Sequence, residues 1–91
     1  TSVFSDEGDF NRMGYRHLRN KDYNDAIEVL KINAALHPTS ENVYDSLAEA
    51  YLMSGDSLQA YNNYKKALDL NDRNKRAQNF VNNFSSKFED N

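Results

Sequence analysis

A period of 34 residues runs through this chain. Glu7, Leu18, Asp22, Ala26, Lys31 and Leu36 return as Glu41, Leu52, Asp56, Ala60, Lys65 and Leu70. Phe10, Met13, Gly14 and His17 return as Tyr44, Leu47, Ala48 and Tyr51, alike in size or shape. A fixed period of this length marks supersecondary units that stack, because one such unit cannot bury its apolar face alone. It points to a protein that offers a surface to a partner and says little about which partner.

Inside each unit the apolar residues keep helical spacing. Phe10, Met13, Gly14, His17 and Leu18 fall on one face, which predicts a first helix over about residues 6–20. Ala26, Ile27, Leu30 and Ala34 predict a second over about 23–36, with Asp22 as its N-cap. Pro38 ends it, since proline cannot continue the ladder and pushes His37 out of helical geometry. Ser40 is the expected N-cap of a third helix carrying Val43, Tyr44, Leu47, Ala48, Tyr51 and Leu52 on one side. Gly55 suits a left-handed cap, and Asp56 with Gln59 forms a variant capping box. A fourth helix over about 57–70 turns Ala60, Tyr61, Tyr64, Ala67 and Leu68 inward. The fifth, about 75–88, has an apolar stripe of Ala77, Phe80, Val81, Phe84 and Phe88. Its other positions include Asn79, Asn82, Asn83, Ser85, Ser86 and Lys87, the polar outer face of a capping helix. Gly14, Ala26, Ala48 and Ala60 are the small positions where paired helices are expected to approach closely.

A length of 91 residues supports one domain with one modest core, here 1–91. Repeat one covers about 7–40, repeat two about 41–74 and the capping helix about 75–88. No apolar run approaches the roughly 20 residues that span a bilayer, so membrane insertion is not expected. Cysteine is absent, which excludes a disulfide, a zinc knuckle and a thiol nucleophile. The net charge of −3 repels a phosphate backbone, and Lys65/Lys66 and Lys75/Arg76 read as solvated helix faces. Nucleic acid is therefore not an expected partner. The chain opens Thr1-Ser2-Val3-Phe4 without Met, which fits an excised domain or a processed product.

Tyr44, Leu47, Ala48, Tyr51, Gly55, Ala60, Tyr64 and Ala67 stand at the spacing of the tetratricopeptide repeat, and the second unit resembles that family. The first unit resembles it through Phe10, Met13, Gly14, Ala26, Leu30 and Pro38. It departs at His17 and Asn33, and the second unit has Asp72 where proline is usual. The resemblance covers about residues 7–74. It implies an all-α fold: a right-handed solenoid of two helix-turn-helix repeats plus a C-terminal capping helix, five helices in all.

The resemblance also implies a non-enzymatic protein-interaction module that needs no cofactor. A protein or peptide partner would lie in a concave groove or on an end face. The groove would be lined by Asn11, Tyr15, Leu18 and Arg19, then Asn42, Asp45, Glu49, Leu52 and Met53, then Asn79 and Asn83. Met53 and Tyr15 suit adaptable peptide contacts. The acids Asp45 and Glu49 favour a basic or amide-rich ligand. The chaperone-tail clamp of some family members is not expected. Asn11 and Tyr15 replace its lysine and asparagine, and Arg76 matches only in part.

A narrower resemblance leads to an alternative. Lys31-Ile32-Asn33 and the run from Pro38 to Tyr51 look like the helical tail of bacterial β-lactamase-like serine hydrolases and α/β-hydrolase esterases. That implies an accessory C-terminal domain that stabilises or positions a catalytic domain. The expected compartment is cytoplasmic for a free-standing protein and periplasmic or secreted for a hydrolase tail. On the second helix Val29 and Ile32 are apolar where the fourth has Asn63 and Lys66, so they form a candidate docking patch. Val3 and Phe4 are the nearest residues that could cover it. A third option is a homodimer, because short solenoids leave their ends open.

Catalytic chemistry has little foothold. Asp45 and Glu49 are an i, i+4 carboxylate pair, but paired acids catalyse only where a pocket sets their pKa values apart, and here they read as a solvated face. His17 reads as a packed histidine and His37 as a turn residue, with no second His at metal spacing. No G-x-S-x-G elbow or phosphate-cradling glycine loop occurs. The tyrosines follow core spacing and are expected to pack with hydroxyls at the rim.

Overall fold

The first helix begins where the sequence supplies a cap. In the computed structural model, which describes residues 6–89, the Asp6 carboxylate accepts a 2.9 Å bond from Gly8 N–H. Glu7 and Asp9 occupy the first turn of α1 (Glu7–Arg19), and Arg16, His17 and Arg19 the last, so both ends complement the helix dipole. There follow α2 (Tyr23–Leu36), α3 (Glu41–Ser54), α4 (Ser57–Leu70) and α5 (Lys75–Glu89). The described residues hold these five helices and no strand, an all-α fold. The boundaries lie close to the sequence expectation: Asp6 and Asn20 cap α1 rather than belonging to it, and α5 runs on to Glu89. Val3 and Phe4 lie outside the described residues. No described helix is long and apolar enough to cross a membrane.

The two turns inside the repeats share one backbone design. At Gly55, φ is +94°, Gly55 N–H donates to Leu52 C=O and Asp56 N–H donates to Tyr51 C=O. One period earlier Lys21 has φ +64°, with Lys21 N–H on Leu18 C=O and Asp22 N–H on His17 C=O. Both are left-handed caps of the Schellman kind, made by a glycine in one unit and a lysine in the other.

Two expected caps differ. Asp56 does cap α4, accepting from Gln59 N–H at 3.1 Å. Asp22 makes no side-chain cap bond, and its carboxylate stands 4.0 Å from His17 Nδ1 instead. Ser40 makes none either, because its hydroxyl donates to Glu7 Oε2 at 2.8 Å. That bond is one of a pair. Asn74, one period after Ser40, gives its amide to Glu41, one period after Glu7. In both units a glutamate opening the first helix holds the residue that closes the same unit, just before the next helix.

Each helix packs on its successor in sequence, and α1 also meets α3, giving a body of 47 × 26 × 19 Å. Leu30, Val43, Tyr61 and Tyr64 are buried among alanines 26, 48, 50, 60, 67 and 77, none of which has exposed surface. At Gly14 α1 stands tight against α2: a Cβ built there would lie 2.6 Å from Leu30 Cδ2 and Cγ. α5 is held by rings, Phe80 on Tyr64 at 4.9 Å and Phe88 on Tyr61 at 5.2 Å, with Phe84 stacked on Phe80 at 4.5 Å. Asn33, fully buried where the second unit has Ala67, donates to Glu7 C=O at 3.1 Å.

Candidate functional site

Helical spacing on α3 brings Asp45, Glu49, Leu52 and Met53 towards one face. Three other helices meet it there. Tyr15 of α1 donates its hydroxyl to Glu49 Oε1 at 2.7 Å. Arg76 of α5 donates Nη1 to the same oxygen at 3.1 Å and lies 3.6 Å from Asp45 Oδ2. Glu49 thus ties the first helices of both units to the final helix. Beside this tie, between α3 and α5, is an open depression of about 440 Å³. Leu52, Met53 and Phe80 supply its apolar surface, Asn79 and Asn83 its amides, and Tyr64 of α4 also lines it.

The depression lies there because the helix spacing is uneven. α1 sits closer to α3 than α3 does to α5. The residues of α3 at positions 46 and 50 are Ser and Ala, both buried, whereas one period later α5 carries Phe80 and Phe84. Those rings pack towards α4 and along α5, Phe80 on Tyr64 at 4.9 Å and Phe84 on Phe80 at 4.5 Å. The paired leucines differ as well. Leu18, expected in the groove, is 3% exposed and belongs to the core, while Leu52 is 39% exposed and lines the depression.

The other expected groove residues divide. Tyr15, Asp45, Glu49, Leu52, Met53, Asn79 and Asn83 join the tie or the depression. Arg19 and Asn42 are exposed and line neither described depression. Asn11 is half-buried, and its Oδ1 has no hydrogen-bond partner. Asp45 and Glu49 are not the solvated pair that their spacing suggested: their side chains are only 16% and 32% exposed and are engaged by Arg76.

The electrostatics follow from that half-burial. Burial pushes the Asp45 carboxyl above its ordinary range, against the opposing pull of Arg76. Asp45, and then Glu49, hold Arg76 more firmly in its charged form, with burial opposing them. Asp45 acts more strongly despite its longer distance because it is the less solvated carboxylate. Burial raises the Tyr15 hydroxyl, and it raises Tyr64 to about 12. At neutral pH the site therefore holds protonated phenols beside a charged guanidinium.

One cluster escaped the sequence reading. His17, Asp22 and Asp25 bring ligand-type atoms within 4.8 Å of one another at the turn between α1 and α2. Asp22 and Asp25 also line a second open depression with Lys21, Tyr23, Asn24 and Ser54. Asp22 and Asp25 are exposed and solvated. The signal was the repeat itself: Tyr51 and Gln59 stand at the positions of His17 and Asp25 one period later.

No protein-family model matches the chain. No curated protein matches it either.

Proposed function

We propose that this chain is a non-enzymatic protein-interaction module built as tetratricopeptide repeats: two helix-turn-helix units stacked as a right-handed solenoid and closed by a capping helix. It takes an extended peptide across the face that carries Tyr15, Glu49, Met53, Asn79 and Asn83. The observation that supports this most is the depression between α3 and α5, with apolar side chains beside two amides. An apolar wall accepts a side chain, and an amide can both donate to and accept from a peptide backbone. The period of 34 residues and the small residues at the helix contacts support the architecture. Panning a random-peptide phage library on the purified chain tests it. The reading expects peptides that bind the native chain and lose at least about tenfold with Met53→Asp. Failure to select any peptide, or binding indifferent to that substitution, counts against it.

A second reading has its own observation. Ile32 is 49% exposed and Leu36 is exposed beside it on α2, with Val29 half-buried. We infer that this patch would seat a neighbouring domain if the chain is the accessory tail of a bacterial hydrolase. Ile32→Lys in the full-length parent would then raise protease sensitivity between the domains. Unchanged sensitivity removes support for this reading.

A further inference from the structure

Resting on the reading of the α3–α5 face as a peptide groove, we propose that Arg76 sets its specificity. Arg76 fills the cation place at Asp45 and Glu49, so the groove takes an uncharged segment anchored by one apolar side chain; without Arg76 the same groove takes a basic one.

Two half-buried carboxylates one helical turn apart attract a cation. The chain supplies its own from a different helix. Arg76 reaches Glu49 Oε1 at 3.1 Å and Asp45 Oδ2 at 3.6 Å through a single nitrogen, Nη1. A lysine or arginine on a ligand would meet the like charge of Arg76, which already stands against both carboxylates. Glu49 Oε1 accepts from both Tyr15 and Arg76, and Asp45 Oδ1 is buried out of reach of solvent. An acidic ligand would meet the same two carboxylates.

An uncharged side chain meets neither obstacle. Leu52, Met53 and Phe80 offer it an apolar wall, and Met53 adapts to its shape. Asn79 and Asn83 are left for the flanking main chain. The guanidinium itself is 56% exposed and held by one nitrogen, so its removal disturbs the groove's charge more than the packing of the core.

The test uses blocked pentapeptides, acetyl-Gly-Ser-X-Ser-Gly-amide with X as Met, Leu, Lys or Glu. Each is titrated into the ¹⁵N-labelled chain, its Arg76→Met variant and its Arg76→Lys variant. The wild type should bind the Met and Leu peptides at least about tenfold more tightly than Lys or Glu, moving the amide signals of Met53, Asn79 and Asn83. Arg76→Met should reverse the order in favour of Lys, and Arg76→Lys should keep the wild-type order. The same ranking in wild type and Arg76→Met, or a wild type that prefers Lys, overturns the role of Arg76 while leaving the groove standing. Absence of any shift at those amides in all three proteins overturns the groove reading and this inference with it.

Discussion

At the scale of single residues, the fold turns on what cannot be enlarged. Gly14 faces Leu30, which is itself fully buried. Alanine would gain about 1 kcal/mol of helix propensity over glycine. Overpacking at 2.6 Å costs about 1–3 kcal/mol, so it should win. Gly14→Ala is expected to be less stable by up to about 2 kcal/mol in urea titration. Asp45 gives a prediction with a pH sign. Its folded pKa is raised above its ordinary 3.8, so the folded chain keeps a proton that the unfolded chain has released. This group's contribution is full below that ordinary value and is lost as pH rises through the raised one. Asp45→Asn should therefore be no less stable than wild type at pH 7, and its melting temperature should fall less across that acidic interval. Thermal melts at stepped pH check both, and a large loss of stability at pH 7 would contradict the burial argument.

At the scale of helices and turns, most of the plan was legible. The apolar spacing of 3.6 residues located all five helices, and the glycine at position 55 marked its turn because few other residues accept positive φ. The equivalent lysine hid the same geometry in the first unit. A left-handed conformation costs a non-glycine residue about 1–2 kcal/mol, against about 0.5–1 kcal/mol for the extra freedom glycine loses on folding. Lys21→Gly should thus stabilise the chain by about 0.5–1 kcal/mol, read as a raised urea midpoint. Side-chain partners were harder to read. Asp22 and Ser40 have the right chemistry for caps, but His17 and Glu7 stand within their reach only after the chain has folded. The same holds for the face between α3 and α5. The family resemblance put Glu49, Met53, Asn79 and Asn83 on one face, yet it placed Leu18 with them and did not pair Arg76 with the acids. Both depend on the distance between helices once they are packed. A local pattern does not report that distance.

At the scale of the whole molecule, the two ends differ from the middle. Val43, Ser46 and Ala50 are buried in α3, but the same positions in α1 are Asp9, Arg12 and Arg16, with Asp9 and Arg12 paired. At the other end, α5 has Gln78, Asn82 and Ser85 where α3 has Tyr44, Ala48 and Tyr51. Charged or polar side chains at both ends oppose stacking of one copy on another. The chain is expected to sediment as a monomer at micromolar concentration, and a dimer would show that another face pairs. The face between α3 and α5 and the Ile32–Leu36 patch on α2 are then the two surfaces proposed above for a partner of a different kind. The most direct measurement is an intermolecular NOE experiment on the methyl-labelled chain bound to a selected peptide. The account predicts contacts from the peptide to Leu52 and Met53 methyls. Contacts confined to Ile32 and Leu36 on α2 would contradict it.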